Sequence, residues 1–244
     1  MCLLALLYRQ VDGAAVIAGA NREEEYARPG EPPSLQSSGS IRFLAGRDPR
    51  AGGTWLGVNQ YGVLVGITNR VKSDPPAGEP RSRGLLVREL LAARSASAAL
   101  KQGADELGSN RYAGCNLLCV DQDSAGIIHA GDWLRIRPLP PGIHVLTARD
   151  VNDESDRRVY HAMGWLARRR YRTADDALAS LQQLCGQSDS NDPPICLHGP
   201  HGGTVSSTLV ALPHRLGDGA YRHSQGPPDR TPYQDYSYLL AELR

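Results

Sequence analysis

The residue best suited to chemistry in this sequence is Cys2, which directly follows the initiator methionine. Removal of Met1, usual when a small residue follows it, would place a free amine and a thiol on one residue. Such an amine can serve as the base for its own nucleophile. Ordinary pKa values of about 8.5 for a thiol and about 7.7–8.0 for an α-amine are close enough for proton exchange. The sequence therefore predicts a nucleophile with its own base at position 2.

Arg22 is the cation expected beside that thiol. Two short apolar segments, residues 2–8 and 14–20, flank Asp12-Gly13, which is a strong hairpin signal. A tight turn there would return Arg22 to the side of Cys2, where its charge favours the thiolate and lowers the thiol pKa. The alternative is that Cys2 is a small buried apolar residue and Arg22 a surface cation.

Several further motifs follow in a fixed order along nearly the whole chain. They are Met1-Cys2, Ala20-Asn21-Arg22-Glu23-Glu24-Glu25-Tyr26-Ala27-Arg28-Pro29, Leu44-Ala45-Gly46-Arg47-Asp48, Gly52-Gly53-Thr54-Trp55-Leu56-Gly57 and Ile67-Thr68-Asn69, then more weakly Ser82-Arg83-Gly84, Gly114-Cys115-Asn116-Leu117-Leu118 and Gly203-Thr204-Val205-Ser206-Ser207-Thr208. This ordered set resembles the NRDE family, also called the transport and Golgi organisation 2 family. The resemblance implies an N-terminal-nucleophile (Ntn) hydrolase fold, related to acylases that cleave bile-salt and penicillin side-chain amides. Roles proposed for the family include haem trafficking and lipid metabolism.

The resemblance also implies roles for individual side chains. Asn69 and Asn116 are expected to hold an oxyanion near Cys2 with their amides, because preorganised donors stabilise charge that develops in a transition state. The alternative is that both asparagines cap turns at strand ends. The residues expected to bind substrate are Asn21, Glu23, Glu24, Trp55 and Thr68.

This chain departs from the family pattern in three places. Glu23 stands where the namesake motif usually has aspartate, and Val205 stands where arginine is frequent. An expected Ser-Asn pair is absent from residues 146–149. Glu23 and Glu24 are nevertheless expected to bind Arg22 or the terminal ammonium by charge-assisted hydrogen bonds, the alternative being solvated charges.

The composition excludes several classes of protein. A net charge of +1 argues against an electrostatic nucleic-acid binder, and no apolar run approaches the length of a membrane span or follows the pattern of a signal peptide. Five cysteines are an odd number, so a disulfide framework is not expected. Cys196, His198 and His201 lack an evident fourth ligand, and no metal site is predicted. These features favour a cytoplasmic protein whose partner is a small molecule, with its oligomeric state open.

The order of elements predicts a single α+β domain over residues 1–244. Strands near 42–46, 53–59 and 62–68 follow the opening hairpin and a polar loop over 28–40. Helices are expected over about 82–107 and 155–185, with Ser95 as an N-cap and a capping box at Thr173. Further strands are predicted near 116–121, 126–130, 133–137, 143–147, 195–198, 204–212 and 219–224, before a terminal segment at 234–243. Segregated strands and paired helices indicate a four-layer αββα sandwich of two mainly antiparallel sheets.

Three functions follow from these features. The main hypothesis is a cysteine amide hydrolase or acyl transferase that acts on a small acylated molecule and needs no cofactor. The second is a protein on the same fold that binds haem or an acyl group, with Cys2 as a ligand or a spectator. The third is a scaffold without a small-molecule site, since fold alone does not decide function.

Overall fold

The computed structural model describes residues 2–74, 76–188 and 193–243, and its strands form two sheets. In chain order the strands are β1 (Leu3–Val11), β2 (Ala14–Glu25), β3 (Glu31–Ser38), β4 (Ile41–Arg47), β5 (Leu56–Asn59), β6 (Leu64–Asn69), β7 (Cys115–Val120), β8 (Ala125–Ala130), β9 (Leu134–Pro138), β10 (Gly142–Leu146), β11 (Gly202–Pro213), β12 (Ala220–Ser224) and β13 (Gln234–Asp235). One sheet has the order β10-β1-β2-β11-β12-β13 and the other β3-β4-β5-β6-β7-β8-β9. All neighbouring strands within these sheets are antiparallel.

Helices cover the outer face of each sheet. They are α1 (Arg83–Leu90), α2 (Ala96–Gly108), α3 (Arg157–Ala167) and α4 (Ala174–Cys185), whereas the short α5 (Ser237–Ala241) contributes Leu240 to the core between the sheets. Buried side chains of α1 and α2 pack on the seven-stranded sheet, and those of α3 and α4 pack on the six-stranded sheet. The predicted αββα layering is therefore confirmed. The predicted caps are confirmed too, since Ser95 accepts the Ala98 N–H and Thr173 forms a capping box with Asp176.

Strand β1 shows why its sequence is an unbroken apolar run. Leu4 and Leu6 belong to the core between the two sheets, whereas Leu3, Ala5 and Leu7 pack against α3 and α4. Both faces of β1 are buried, so its apolar residues do not alternate with polar ones. A Cβ on Gly66 of β6 would lie 2.8 Å from Leu4 Cδ1, so this glycine allows β1 to approach the opposite sheet closely.

The structure differs from the sequence prediction at three elements. The predicted polar loop contains β3, an edge strand with Pro32 and Pro33 at its irregular start; prolines are tolerated at such edges. The strand predicted from residue 53 begins at Leu56, because the backbone of Gly53 lies against the backbone of Gly84 instead. The strand predicted over 195–198 is reduced to one bridge between His198 and Gly203.

The described part of the chain contains no helix that is both long and apolar enough to cross a bilayer.

Candidate functional site

Cys2 and Arg22 lie opposite one another at the open end of the β1–β2 hairpin. The strands are joined by the two-residue Asp12-Gly13 turn, in which Gly13 has φ +81°, and Leu3 pairs with Asn21. One step further along this register, Cys2 faces Arg22, and both residues line a cleft of about 520 Å³. The predicted meeting of these two residues is confirmed. Cys2 itself is half-buried.

Arg22 is held by an aromatic ring and by oxygen acceptors. Its guanidinium carbon lies 4.4 Å from the ring centroid of Trp55, and Nη1 donates to the Arg28 carbonyl at 3.2 Å. Nη2 lies 3.8 Å from a carboxylate oxygen of Glu24, which is an ion pair too long for the expected hydrogen bond. Burial lowers the pKa of Arg22, while Glu24 and Asp48 act in the opposite direction. An arginine stays cationic through such a shift, so a fixed positive charge stands beside Cys2.

Close glycine contacts place Trp55 beneath this arginine. A Cβ on Gly53 would lie 2.2 Å from the carbonyl carbon of Gly84, and the Thr54 N–H donates to the Gly84 carbonyl at 3.0 Å. A Cβ on Gly30 or Gly46 would lie 2.6 Å or 2.8 Å from the indole ring. The glycines of these motifs therefore leave the space that the Trp55 ring occupies.

Arg28 and Asp48 form the outer wall of the cleft. Their side chains join at 2.5 Å, and Arg28 also lies 3.5 Å from Glu24. Burial alone would raise the pKa of Asp48, but the hydrogen bond and the charge of Arg28 lower it below its ordinary value. Asp48 is thus a carboxylate at neutral pH, and it also accepts the Arg50 N–H at 3.0 Å.

The thiol of Cys2 has a raised pKa when residue 2 is in a peptide bond. Burial raises the pKa and the nearby charge of Glu23 raises it further, whereas the Glu23 backbone N–H and the charge of Arg22 lower it by less. With residue 2 in a peptide bond, its side chain is a neutral thiol near neutral pH. Arg22 alone does not outweigh desolvation in this form of the chain, and the lowered pKa expected for the chain that begins at Cys2 stays a prediction.

Glu23 points toward the helical layer while its backbone reaches the cleft. One of its carboxylate oxygens contacts Arg158 Nη2 of α3, and the other lies 3.3 Å from Arg158 Nη1. Burial raises the pKa of Glu23, and Arg158 opposes that shift. The extra methylene of glutamate relative to aspartate extends the carboxylate toward this arginine.

Asn21 does not occupy the predicted substrate-binding position. Its side chain also faces the helical layer, because neighbouring residues on a strand point to opposite faces. The amide nitrogen donates to the Cys185 carbonyl at 2.9 Å and to the Ile195 carbonyl at 3.1 Å. This buried amide fastens the end of α4 and the segment after it to β2.

Thr68 and Asn116 do not line the cleft either, and the predicted oxyanion role of Asn116 is not supported. The two residues pair across β6 and β7 and are both buried. Thr68 donates its hydroxyl to the Thr147 carbonyl at 2.5 Å. The Asn116 amide nitrogen is within hydrogen-bond distance of Thr68 Oγ1, the Thr147 carbonyl and the Arg149 carbonyl, at 3.3, 3.0 and 2.9 Å. No amide hydrogen is left for an oxyanion, and the pair ties β6 and β7 to the chain after β10.

Asn69 is the predicted amide that does reach the cleft. It ends β6, is exposed, and lines the cleft with Cys2 and Ile67. Its side chain makes no hydrogen bond to the described residues, so the amide is available to a bound molecule. Trp55, Glu23 and Glu24, which were expected to bind substrate, also line the cleft, although the Glu23 carboxylate is paired with Arg158.

The sequence prediction overlooked most of the cleft's charge. The lining includes five arginines and four carboxylates, namely Arg22, Arg28, Arg50, Arg81, Arg83, Glu23, Glu24, Asp48 and Glu79. Arg28, Asp48 and Arg83 lie within the family-like motifs, which could have identified them, whereas Arg158 carries no sequence signal. Arg81 is paired with Glu89 and Glu106, but Arg50 and Arg83 form no ion pair with the described residues. Val205, noted for its departure from the family pattern, is not among the lining residues.

Two antiparallel sheets between helical layers, with a cysteine at the start of the first strand, define an Ntn-hydrolase fold. Three solved structures share it: the N-acylethanolamine-hydrolyzing acid amidase ortholog of Caenorhabditis elegans (TM-score 0.60, 14% identity, 87% of this chain and 94% of that one), penicillin V acylase from Agrobacterium tumefaciens (0.57, 12%, 97% and 86%), and the C2A mutant of conjugated bile acid hydrolase from Clostridium perfringens (0.51, 11%, 97% and 92%). At these identities the likeness is one of fold.

The chain belongs to the Transport and Golgi organisation 2 family, whose model matches residues 1–197. The Transport and Golgi organization 2 homolog of Mus musculus is 36% identical over 112 residues. That match spans 43% of this chain and 38% of the mouse protein, so it covers less than two thirds of that relative.

Proposed function

We propose that this protein is a cysteine amide hydrolase or acyl transferase that acts on a small acylated substrate. The observation that carries the proposal is the placement of Cys2 opposite Arg22 in a cleft at the end of the two sheets. The same cleft presents the amide of Asn69 and several charged side chains. A nucleophile, a cation and a free hydrogen-bond donor in one cleft are the parts that acyl transfer requires.

The mechanism requires the free amine of Cys2. The amine takes the thiol proton, and the sulfur attacks the carbonyl carbon of the substrate amide. The resulting oxyanion accepts a hydrogen bond from Asn69. When the C–N bond breaks, the leaving amine takes the proton from the Cys2 ammonium and leaves a thioester. Water then releases the acid in a hydrolase, or an acceptor amine takes the acyl group in a transferase, and the thiol is restored.

The raised thiol pKa gives Met1 removal a chemical role within this proposal. While residue 2 is in a peptide bond, burial and Glu23 keep the thiol protonated. A terminal amine beside the sulfur would supply the missing proton acceptor and, once protonated, a positive charge that favours the thiolate. The chain would therefore be inactive until Met1 is removed.

The charge of the cleft favours a substrate that carries an anionic group. Arg28 is neutralised by Asp48 and Glu24, whereas Arg50 and Arg83 have no carboxylate partner among the described residues. A carboxylate of the substrate would be recognised well by such guanidinium groups. We therefore expect N-acyl amino acids to be better substrates than neutral amides with the same acyl chain.

Trapping of an acyl-enzyme tests the proposal. Protein confirmed by intact mass to begin at Cys2 is incubated with a matched panel of an N-acylglycine and an N-acylethanolamine. Acid quenching and mass spectrometry should reveal an acyl group on the Cys2 peptide, with free amine released in proportion to time. Cys2→Ser should carry no thioester, and Cys115→Ser should behave like the parent protein.

The same experiment separates this function from the binding hypothesis. Saturable binding of haem or of an acyl chain, without acylation or amine release across the panel, would support a carrier and contradict the enzyme. Absence of both turnover and binding would also contradict the proposal and favour a scaffold.

A further inference from the structure

A second cluster of reactive side chains lies outside the Cys2 cleft. Cys196 Sγ is 3.9 Å from His198 Nε2 and 3.3 Å from Asp229 Oδ1, and His198 Nε2 is 2.8 Å from Asp229 Oδ2. All three donor atoms lie within 4.8 Å of one another. Cys196 is buried, and the carboxylate of Asp229 is mostly buried, while the imidazole is partly open to solvent. The cluster therefore presents three different donor atoms around one point.

The separations of these atoms suit a tetrahedral zinc ion. Zinc binds thiolate at about 2.3 Å, imidazole at about 2.0–2.1 Å and carboxylate at about 2.0–2.2 Å. At the tetrahedral angle, neighbouring donor atoms then stand about 3.4–3.6 Å apart. The observed separations of 3.9, 3.3 and 2.8 Å lie within about 0.6 Å of this range, a difference that side-chain rotations can supply. Thiolate and imidazole are also donors that suit zinc better than they suit harder cations.

The backbone around the cluster is fixed before any ion binds. The Leu197 N–H donates to Thr204 Oγ1 at 2.9 Å, and the Thr204 N–H donates to the Leu197 carbonyl at 2.8 Å. The Thr204 hydroxyl also interacts with the Cys196 thiol. On the preceding residue, the Ile195 carbonyl accepts from Asn21 and from Arg158 Nη2 at 3.1 and 3.0 Å. Outer-shell contacts of this kind hold ligands in position in metal sites.

Long-range folding explains why no metal site was predicted from the sequence. Cys196 and His198 are two residues apart, but Asp229 comes from the loop after β12. His201, the candidate considered from the sequence, is not part of the cluster among the described residues. Asp229 lies beyond the residues that the family model matches.

We propose that Cys196, His198 and Asp229 bind one zinc ion, with water as the fourth ligand. The Cys196 thiol releases its proton to solvent when the sulfur binds, so two anionic ligands balance the dication. Arg230, whose Nε is 3.5 Å from Asp229, competes with the ion for that carboxylate and swings away when zinc binds. The site is separate from Cys2 and does not depend on the enzymatic proposal.

Metal titration of the full-length protein tests this site. Protein treated with a chelator is titrated with Zn²⁺, and bound metal is measured after desalting. Co²⁺ is used in parallel, because sulfur coordination gives it a thiolate charge-transfer band. We expect one ion per chain and such a band. Cys196→Ser should remove the band, and Asp229→Asn should weaken zinc binding by at least the roughly 10–100-fold that loss of an outer-shell partner causes.

Controls separate this site from other thiols and histidines. Cys2→Ser, Cys185→Ser and His201→Ala should each keep the cobalt band and the zinc stoichiometry. Arg230→Gln should tighten zinc binding, because it removes the competing cation. Circular dichroism must show each variant folded; if Cys196→Ser is not, Asp229→Asn and Arg230→Gln decide the question. Absence of stoichiometric zinc in the parent protein, or equal affinity in Asp229→Asn and the parent, would overturn the proposal.

Discussion

The guanidinium group of Arg22 lies over the ring of Trp55, with 4.4 Å between the guanidinium carbon and the ring centroid. The arginine is only 5% exposed, so the ring replaces water as its neighbour. A desolvated contact of this kind is expected to contribute about 2 kcal/mol. Because Arg22 also faces Cys2, the indole fixes the position of a positive charge beside the thiol.

A double-mutant cycle measures the coupling of these two side chains. We expect Trp55→Leu and Arg22→Met to be less destabilising together than the sum of their separate effects, by about 1–2 kcal/mol. Urea unfolding followed by circular dichroism gives the four free energies of unfolding. Additive effects within about 0.3–0.5 kcal/mol would mean that the ring and the cation are not coupled.

Removal of Met1 should decide whether acyl transfer occurs. We compare the chain that begins at Cys2 with a variant that carries one lysine between Met1 and Cys2. In this variant the nitrogen of Cys2 stays in a peptide bond. Only the processed chain should form an acyl-enzyme, since only it has the amine base. Intact mass defines each preparation, and thermal unfolding should be similar for both. Equal acylation of the extended variant would exclude the amine as the base.

The pH dependence of Cys2 alkylation should change with the same processing. In the extended variant, iodoacetamide should label Cys2 only above the pH at which an ordinary thiol reacts, because burial and Glu23 raise its pKa. Processing should shift the labelling profile to lower pH, and Arg22→Met should shift it back upward by removing a cation. Peptide mass spectrometry resolves Cys2 from Cys115, whose pKa burial raises to about 12. An unchanged profile in Arg22→Met would show that the arginine does not act on the sulfur.

Asn69 and Asn116 should give opposite results when each is replaced by alanine. Asn69→Ala should lower the acylation rate about 10²–10³-fold with little loss of stability, as expected for an oxyanion donor. Asn116→Ala should instead lower the free energy of unfolding by about 1–3 kcal/mol or more, because it leaves buried His129 without its partner and removes the donor to the Arg149 carbonyl. Quenched acylation assays and urea unfolding of the two variants distinguish these effects. The assignment would be reversed if Asn116→Ala stopped acylation without destabilising the fold.

Asp48 should contribute to stability in a way that depends on pH. Its pKa is lowered in the folded state, so its contribution is complete above its unfolded pKa of about 3.9 and is lost as pH falls through the lower folded value. The difference in unfolding free energy between the parent protein and Asp48→Asn should therefore be constant near neutral pH. It should shrink below about pH 4. Denaturant unfolding at a series of pH values checks this, and a constant difference down to acid pH would contradict the ion pair with Arg28.

Local signals in the sequence predicted the hairpin, the helices and the layer order. The Asp12-Gly13 turn pairs Val11 with Ala14, and an irregularity between Tyr8 and Val11 then shifts the register by one residue, so that Leu3 pairs with Asn21 and Cys2 faces Arg22. The turn predicted the hairpin, but by itself it would place Cys2 opposite Glu23. The partners of a side chain at the start of β7 depend instead on which elements of the fold pack against it. Asn116 faces the chain after β10, which no local pattern reveals, and Asp229 reaches Cys196 only through the packing of two distant loops. The raised thiol pKa of the chain that keeps Met1 could not be predicted for a related reason, since burial is a property of the whole fold.

Along residues 21–24 of β2, successive side chains point alternately into the cleft and toward the helical layer. Arg22 and Glu24 point into the cleft, whereas Asn21 and Glu23 hold the Ile195 segment and Arg158 of the helical layer. A library randomised at positions 22 and 24 should therefore yield many folded variants that differ in the molecules they accept. Randomisation at 21 and 23 should instead yield mostly destabilised proteins, so a protein engineer could change selectivity and robustness from interleaved positions of one strand.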